Sequence, residues 1–141
     1  MKFRMLASDV SSADLLGSNT MEPQRYQSCI EACNTCADAC DYCSIACLQE
    51  DDVKMMADCI RLNLDCAAIC RLAIAYMARE YVGNVCNVCG DICEACGVEC
   101  ARHPQAYCQI CAQACRRCAE ECRRLSSAAA AKPRCEGRAV R

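Results

Sequence analysis

The residues that could do chemistry in this chain are its cysteines. Between Cys29 and Cys47 the sequence reads "CIEACNTCADACDYCSIAC", six thiols at gaps of four, three, four, three and four. The rhythm returns as Cys86, Cys89, Cys93, Cys96 and Cys100, and again as Cys108, Cys111, Cys115, Cys118 and Cys122. A sparser set, Cys59, Cys66 and Cys70, lies between them. At ~100° per residue, the six thiols of the first run fall within an arc of about 80°. They occupy the a and d positions of a heptad seam. Cys135 is off this register and is left out of the core.

Buried cysteine often serves as a small hydrophobe. Leu, Ile and Val would pack so many seam positions better, so packing alone does not account for the pattern. A disulfide scaffold also fits a cysteine-dense short chain. Such scaffolds are loop-rich and exported, whereas these runs are helical and their thiols point in parallel. Cys-x-x-Cys pairs (Cys33–Cys36, Cys86–Cys89, Cys115–Cys118) suggest redox catalysis, yet they sit mid-helix without a βα setting. Iron–sulfur clusters need cysteines converging from loops, and here the spacing runs along whole helices.

Metal ions held along an axis remain, and charge discriminates among them. Four thiolates around Zn²⁺ carry a net −2, so nineteen buried thiolates filled with zinc would leave about nine uncompensated charges in a low-dielectric core. A monovalent soft ion at about one per thiolate leaves the core near neutral, and thiolates select Cu(I). Cβ atoms at i and i+4 are ~5–6 Å apart, a gap that two metal–sulfur bonds of ~2.3 Å nearly close. Cys29/Cys33, Cys36/Cys40, Cys43/Cys47, Cys66/Cys70, Cys89/Cys93, Cys96/Cys100, Cys111/Cys115 and Cys118/Cys122 are such pairs. Without metal, an apolar surrounding raises a thiol's pKa, so the empty core is expected to fold as neutral Cys–SH. Uptake would then release about one proton per thiolate formed.

Four helices must position these thiols. The pattern predicts them at roughly Glu22–Gln49, with Pro23 in the first turn, Asp51–Glu80, with acidic residues at its start, Asn84–Arg102, and His103-Pro104 to Leu125 or a little beyond. "YVGN" (Tyr81–Asn84) breaks the chain between the second and third, and no run alternates with period two. Short connections imply an all-α, antiparallel, up-down-up-down four-helix bundle with a cysteine-lined core. The expected organisation is a flexible arm over 1–20, with a short helical turn near Ser11–Leu16, the bundle over 21–125 and a basic, disordered tail over 126–141.

The rest of the composition narrows the partners. Net charge is −2, which points to no nucleic-acid or membrane partner. From Arg123 onward the chain is +5 and the remainder −7, a distribution read as a solvated basic tail. The N-terminal segment has no signal-peptide core and no twin arginine. No stretch approaches the ~20 apolar residues of a membrane span. The expectation is a cytosolic protein, where thiols stay reduced.

The repeated pairs "CIEAC", "CADAC", "CSIAC", "CAAIC", "CGDIC", "CGVEC", "CAQAC" and "CAEEC" over about 22–125 resemble the cysteine-rich four-helix-bundle copper storage proteins of bacteria, particularly their cytosolic branch. The resemblance implies a tetramer of bundles, each filled with many Cu(I) ions, and storage or sequestration without substrate turnover. Cytosolic members are similar in carrying several histidines at the open bundle end where copper enters. This chain has one, His103 in "ARHPQAYC", so its mouth is expected to be built differently.

Further expectations complete the reading. The metal set is the nineteen register cysteines and His103, with catalytic residues expected to be none. Met55, four residues before Cys59, is core filler or an added thioether ligand. A second apolar stripe, Ile60, Leu64, Ala68, Leu72 and Tyr76, faces away from Cys59 and Cys66 and should form a homotetramer contact. A copper chaperone is the delivering partner this role calls for. A general sink for zinc, cadmium or silver, and a thiol-redox protein, stand as the other readings.

Overall fold

The structure is a computed structural model that describes the backbone of residues 17–131 and the side chains of 25–128. Four α-helices run in order: α1 (Gly17–Cys47), α2 (Ala57–Ala78), α3 (Val85–Ala101) and α4 (Ala106–Ala131), with a 3₁₀ turn at Val53–Met56 before α2. Each helix packs on its chain neighbours, and α1 also packs on α4, which closes an antiparallel four-helix bundle. There is no strand among the described residues.

Helix limits differ from the sequence expectation in instructive places. α1 begins at Gly17, so Pro23 lies inside it and 17–20 belong to the helix, not to an arm. α4 continues past Leu125 to Ala131, into the stretch expected to be tail. The expected turn near Ser11–Leu16, the tail beyond Ala131 and Cys135 lie outside the described residues. The acidic pair does not open α2 directly. Asp52 is the cap of the 3₁₀ turn and makes no side-chain capping bond.

The α2–α3 connection is closed by a Schellman motif. The Tyr81 N–H donates to the Tyr76 carbonyl at 2.9 Å, and the Glu80 N–H donates to the Met77 carbonyl at 2.8 Å. Glu80 takes φ 64° at the position where glycine is usual. Tyr76 and Tyr81, the two residues this motif brings together, stack edge to face at 5.4 Å.

Small residues let helices close around the axis. A Cβ at Gly97 would lie 3.3 Å from the Cys115 Cβ and 3.4 Å from the Ala112 carbonyl oxygen, so α3 and α4 approach through this glycine. Exposed ion pairs flank the seams. Arg71 of α2 reaches Asp38 and Asp41 of α1, and Arg123 of α4 reaches Asp91 and Glu94 of α3. At such exposure each pair contributes well under ~1 kcal/mol. The bundle is held instead by its buried axis.

Candidate metal centre

That axis is sulfur. All nineteen register cysteines are buried, none more than 1% exposed, and all are free thiols. Across the α1–α4 seam the rungs are Cys29–Cys122 at 3.6 Å, Cys33–Cys118 at 3.5 Å, Cys36–Cys115 at 3.6 Å, Cys40–Cys111 at 3.6 Å and Cys43–Cys108 at 3.8 Å. Each step along α1 is matched by an equal step back along α4, as antiparallel heptad seams require.

Across α2–α3 the rungs are Cys70–Cys89 at 3.8 Å, Cys66–Cys93 at 3.5 Å and Cys59–Cys100 at 3.6 Å. One rung there is not sulfur on both sides. Asn63, fully buried, occupies the α2 position opposite Cys96. Its Oδ1 accepts from the thiols of Cys111 at 3.1 Å, Cys96 at 3.2 Å and Cys100 at 3.6 Å, while its Nδ2 donates to Cys59 at 3.4 Å. Sequence reasoning passed over Asn63, although the four-three spacing from Cys59 to Cys66 runs through it.

Pairs on one helix also lie close. Cys36/Cys40, Cys43/Cys47, Cys89/Cys93, Cys96/Cys100 and Cys111/Cys115 have their sulfurs 3.8–4.0 Å apart. Two metal–sulfur bonds of ~2.3 Å span up to about 4.6 Å, so a small outward shift admits one ion between such a pair. Among the described residues, tetrads with all four sulfurs within 4.8 Å of one another recur along the axis. From the closed end they include Cys33/Cys89/Cys118/Cys122, Cys36/Cys70/Cys93/Cys118, Cys36/Cys40/Cys66/Cys115, Cys40/Cys96/Cys111/Cys115 and, at the mouth, Cys43/Cys47/Cys59/Cys108. The first four are linked by shared thiols, as a column of bridged ions needs.

At the mouth, burial pushes Cys47 up to about 11 and raises Cys108 as well, as the neutral-thiol expectation has it, while Cys59 is held down chiefly by its hydrogen bond with Cys100. Deeper in, S–H···S chains divide the thiols. Cys66 is held down chiefly by the Cys115 hydrogen bond, whereas Cys115 is held up chiefly by its bond to Cys111.

The two ends differ. Tyr26, Met77 and Val82 are buried at the end holding Cys29, Cys86 and Cys122. At the other end His103 follows α3, with its side chain 13% exposed and Nε2 2.9 Å from the Glu99 carboxylate. The Tyr107 hydroxyl donates to the Glu50 carboxylate and stacks edge to face on Tyr42 at 6.4 Å. Met55 is 66% exposed, so it is not core filler; its neighbour Met56 is 3% exposed and takes the inward place. The α2 stripe is on the surface, with Leu64 and Leu72 exposed and Ile60 and Tyr76 half-buried.

A four-helix bundle whose axis is lined by reduced thiols, in tetrads sized for metal ions, belongs to the class of soft-metal-binding bundles. The profile of the copper storage protein family matches residues 22–127. The chain belongs to that family. It is similar to the solved copper-free copper storage protein 3 from Bacillus subtilis, at 44% identity over 72% of this chain and 98% of that one, with a TM-score of 0.66. A cytosolic copper storage protein from Streptomyces lividans, solved during copper loading with five coppers, is 39% identical over 76% of this chain and 96% of that one, with a TM-score of 0.72. A Streptomyces lividans copper storage protein loaded with 10 copper equivalents is 42% identical over 70% of this chain and 81% of that one, with a TM-score of 0.67. No curated protein matches the chain.

Proposed function

We propose that this protein stores and sequesters Cu(I) in the cytosol, at near one ion per core cysteine, through bridging thiolates of the nineteen cysteines from Cys29 to Cys122. The observation that carries this reading is the column itself: fully buried, reduced sulfurs with rungs of 3.5–3.8 Å from one end of the bundle to the other. Copper enters at the mouth beside His103, the one nitrogen ligand of the set. The storage domain is 21–125.

The protein turns over no substrate in this reading, and it has no nucleic-acid or membrane partner. No helix among the described residues is long and apolar enough to cross a membrane. The stripe of Ile60, Leu64, Leu72 and Tyr76 joins four copies into a tetramer, and a copper chaperone delivers the cargo. Exposed Leu64 and Leu72, in one row along the helix, support that contact, since an apolar row on a bundle's outer face favours a partner over water.

Anaerobic titration with Cu(I) against a chromophoric chelator tests the function. Filling toward one ion per core cysteine is the expected result, and saturation at four or five ions per chain would sink it. Zinc binding of equal stoichiometry would favour the general soft-metal sink. For the assembly, sedimentation should give four chains, and Leu64→Lys with Leu72→Lys should give one.

A further inference from the structure

The helices each place one residue into successive cross-sections of the axis, and the cross-section at the closed end is unlike the rest. Deeper layers carry a ligating side chain at every corner, as where Cys36, Cys66, Cys93 and Cys115 meet. In another layer Asn63 fills the fourth corner and accepts from the thiols of Cys96 and Cys111. At the closed end Cys29 lies 3.6 Å from Cys122, and Cys86 hydrogen-bonds with both. The α2 member of this layer is Ala73, three residues on from Cys70 as Cys86 is three back from Cys89. Ala73 is fully buried and offers no donor atom.

Three sulfurs with an apolar fourth corner suit a trivalent, thiophilic centre that keeps a lone pair. Arsenous acid, As(OH)₃, is neutral and bonds in a pyramid, so it needs three thiols on one side and nothing on the other. The buried cap of Tyr26, Met77 and Val82 at this end carries no charge. Charge separates such a site from a copper site. Cu(I) on three thiolates carries a net −2, costly beside an apolar cap unless further ions share the sulfurs. Arsenic(III) on the same three thiolates is neutral. In the deeper layers a fourth sulfur stands where the lone pair needs room, or Asn63 holds the thiol protons.

We propose that Cys29, Cys86 and Cys122 form a trithiolate site for arsenous acid at the closed end of the bundle. Three S–H groups condense with three As–OH groups. Three As–S bonds form, three As–O and three S–H bonds break, and three waters leave. Arsenic stays As(III), no sulfur is oxidised, and no charge is buried. Soft sulfur favours a thiophilic centre over the oxygens it replaces. The Cys29 and Cys122 sulfurs, already near van der Waals contact, move little to share one atom. The site asks only for reduced thiols, which the copper-free chain supplies, and stands apart from copper storage.

The test titrates reduced, copper-free, full-length protein with sodium arsenite under argon, following sulfur-to-arsenic charge transfer in the ultraviolet. The first equivalent should bind most tightly, and X-ray absorption at the arsenic edge should find three sulfurs and no oxygen around it. Cys86→Ser conserves volume and should weaken that equivalent by about a hundredfold or more, the scale by which linked ligands exceed separate ones. Cys93→Ser, in a four-sulfur layer, should leave it unchanged. If Cys86→Ser does not fold, wild-type protein labelled with ¹³C at the alanine methyls decides. The Ala73 methyl resonance should shift with the first equivalent, while that of Ala67, buried beside Cys66, stays put. Equal loss in both serine variants, several equivalents bound with one affinity, oxygen retained on arsenic, or an unmoved Ala73 resonance would each overturn the site. Cu(I) titration of the same protein is a separate readout, and its failure would sink the storage reading while leaving the arsenic result standing.

Discussion

Removing Cys36 tests the column where its sulfurs are most shared. Its Sγ lies 3.5 Å from Cys66, 3.6 Å from Cys115 and 4.0 Å from both Cys40 and Cys93, and it belongs to two tetrads. If each thiolate bridges and stoichiometry is near one ion per thiolate, Cys36→Ala removes one or two ions of about nineteen. Capacity should therefore fall by about 5–10%, the scale set by bridging soft-ligand sites. The copper-free protein loses a buried atom about the size of a methylene and gains a small void. Its stability should drop by about 1 kcal/mol, or roughly 4–8 °C in Tm for a bundle of this size. The S–H···S bonds add little, because a thiol is a weak donor and acceptor. Chelator-competition titration under argon reads the first quantity, and denaturant unfolding in reductant reads the second. Capacity reduced by a third or more would refute the picture of many nearly independent bridged ions, in favour of one all-or-none cluster. Complete loss of function from this single change would point to a redox site.

The remaining expectations concern the copper-free bundle. Burial raises Cys47 from the ordinary 9.0 to about 11, so between these values the folded chain keeps a proton that the unfolded chain has lost. This contribution is complete below about pH 9 and is lost as pH rises toward 11, so Tm in reductant and chelator should fall over that window. Glu80→Gly relieves a left-handed φ of 64° and should raise stability by about 1 kcal/mol in urea unfolding, with copper capacity unchanged. Asn63→Leu removes a buried amide and leaves behind only thiols, which are weak donors that can bond to neighbouring sulfurs, so apo stability should change by less than about 1 kcal/mol; a loss above 3 kcal/mol in the same assay would show that the amide holds the core.

What the sequence made legible follows from how strongly each feature is over-determined. Six cysteines at four-three spacing can share a face only on a helix, so α1 and its stripe were readable from Cys29–Cys47 alone, as were the runs on α3 and α4. The breaks at Tyr81–Asn84 and His103-Pro104 rest on backbone chemistry and fell where expected. Less legible were features without a periodic signature. The 3₁₀ turn at Val53–Met56 looks in sequence like the first turn of α2, because acidic residues suit either. The start of α1 at Gly17 runs against Pro23, which marks a first turn in most helices.

The misreadings of Asn63 in α2 and of Met55 in the turn before it share one cause. Treating cysteine as the only mark of the column left Cys59 and Cys66 seven residues apart, with the direction of the intermediate step unassigned. Counting back four from Cys59 then reached Met55, an outward position. A heptad seam alternates steps of four and three. Once Asn63 is seen as the member four residues after Cys59, the step before Cys59 must be three, and it lands on Met56. The same alternation carries the other way from Cys70 through Ala73 to Met77, both buried. The inward stripe of the 3₁₀ turn and α2 is thus Met56, Cys59, Asn63, Cys66, Cys70, Ala73 and Met77, with thioethers at both ends. Met56 lies toward the His103 end, and Met77 is buried at the end that Tyr26 and Val82 close.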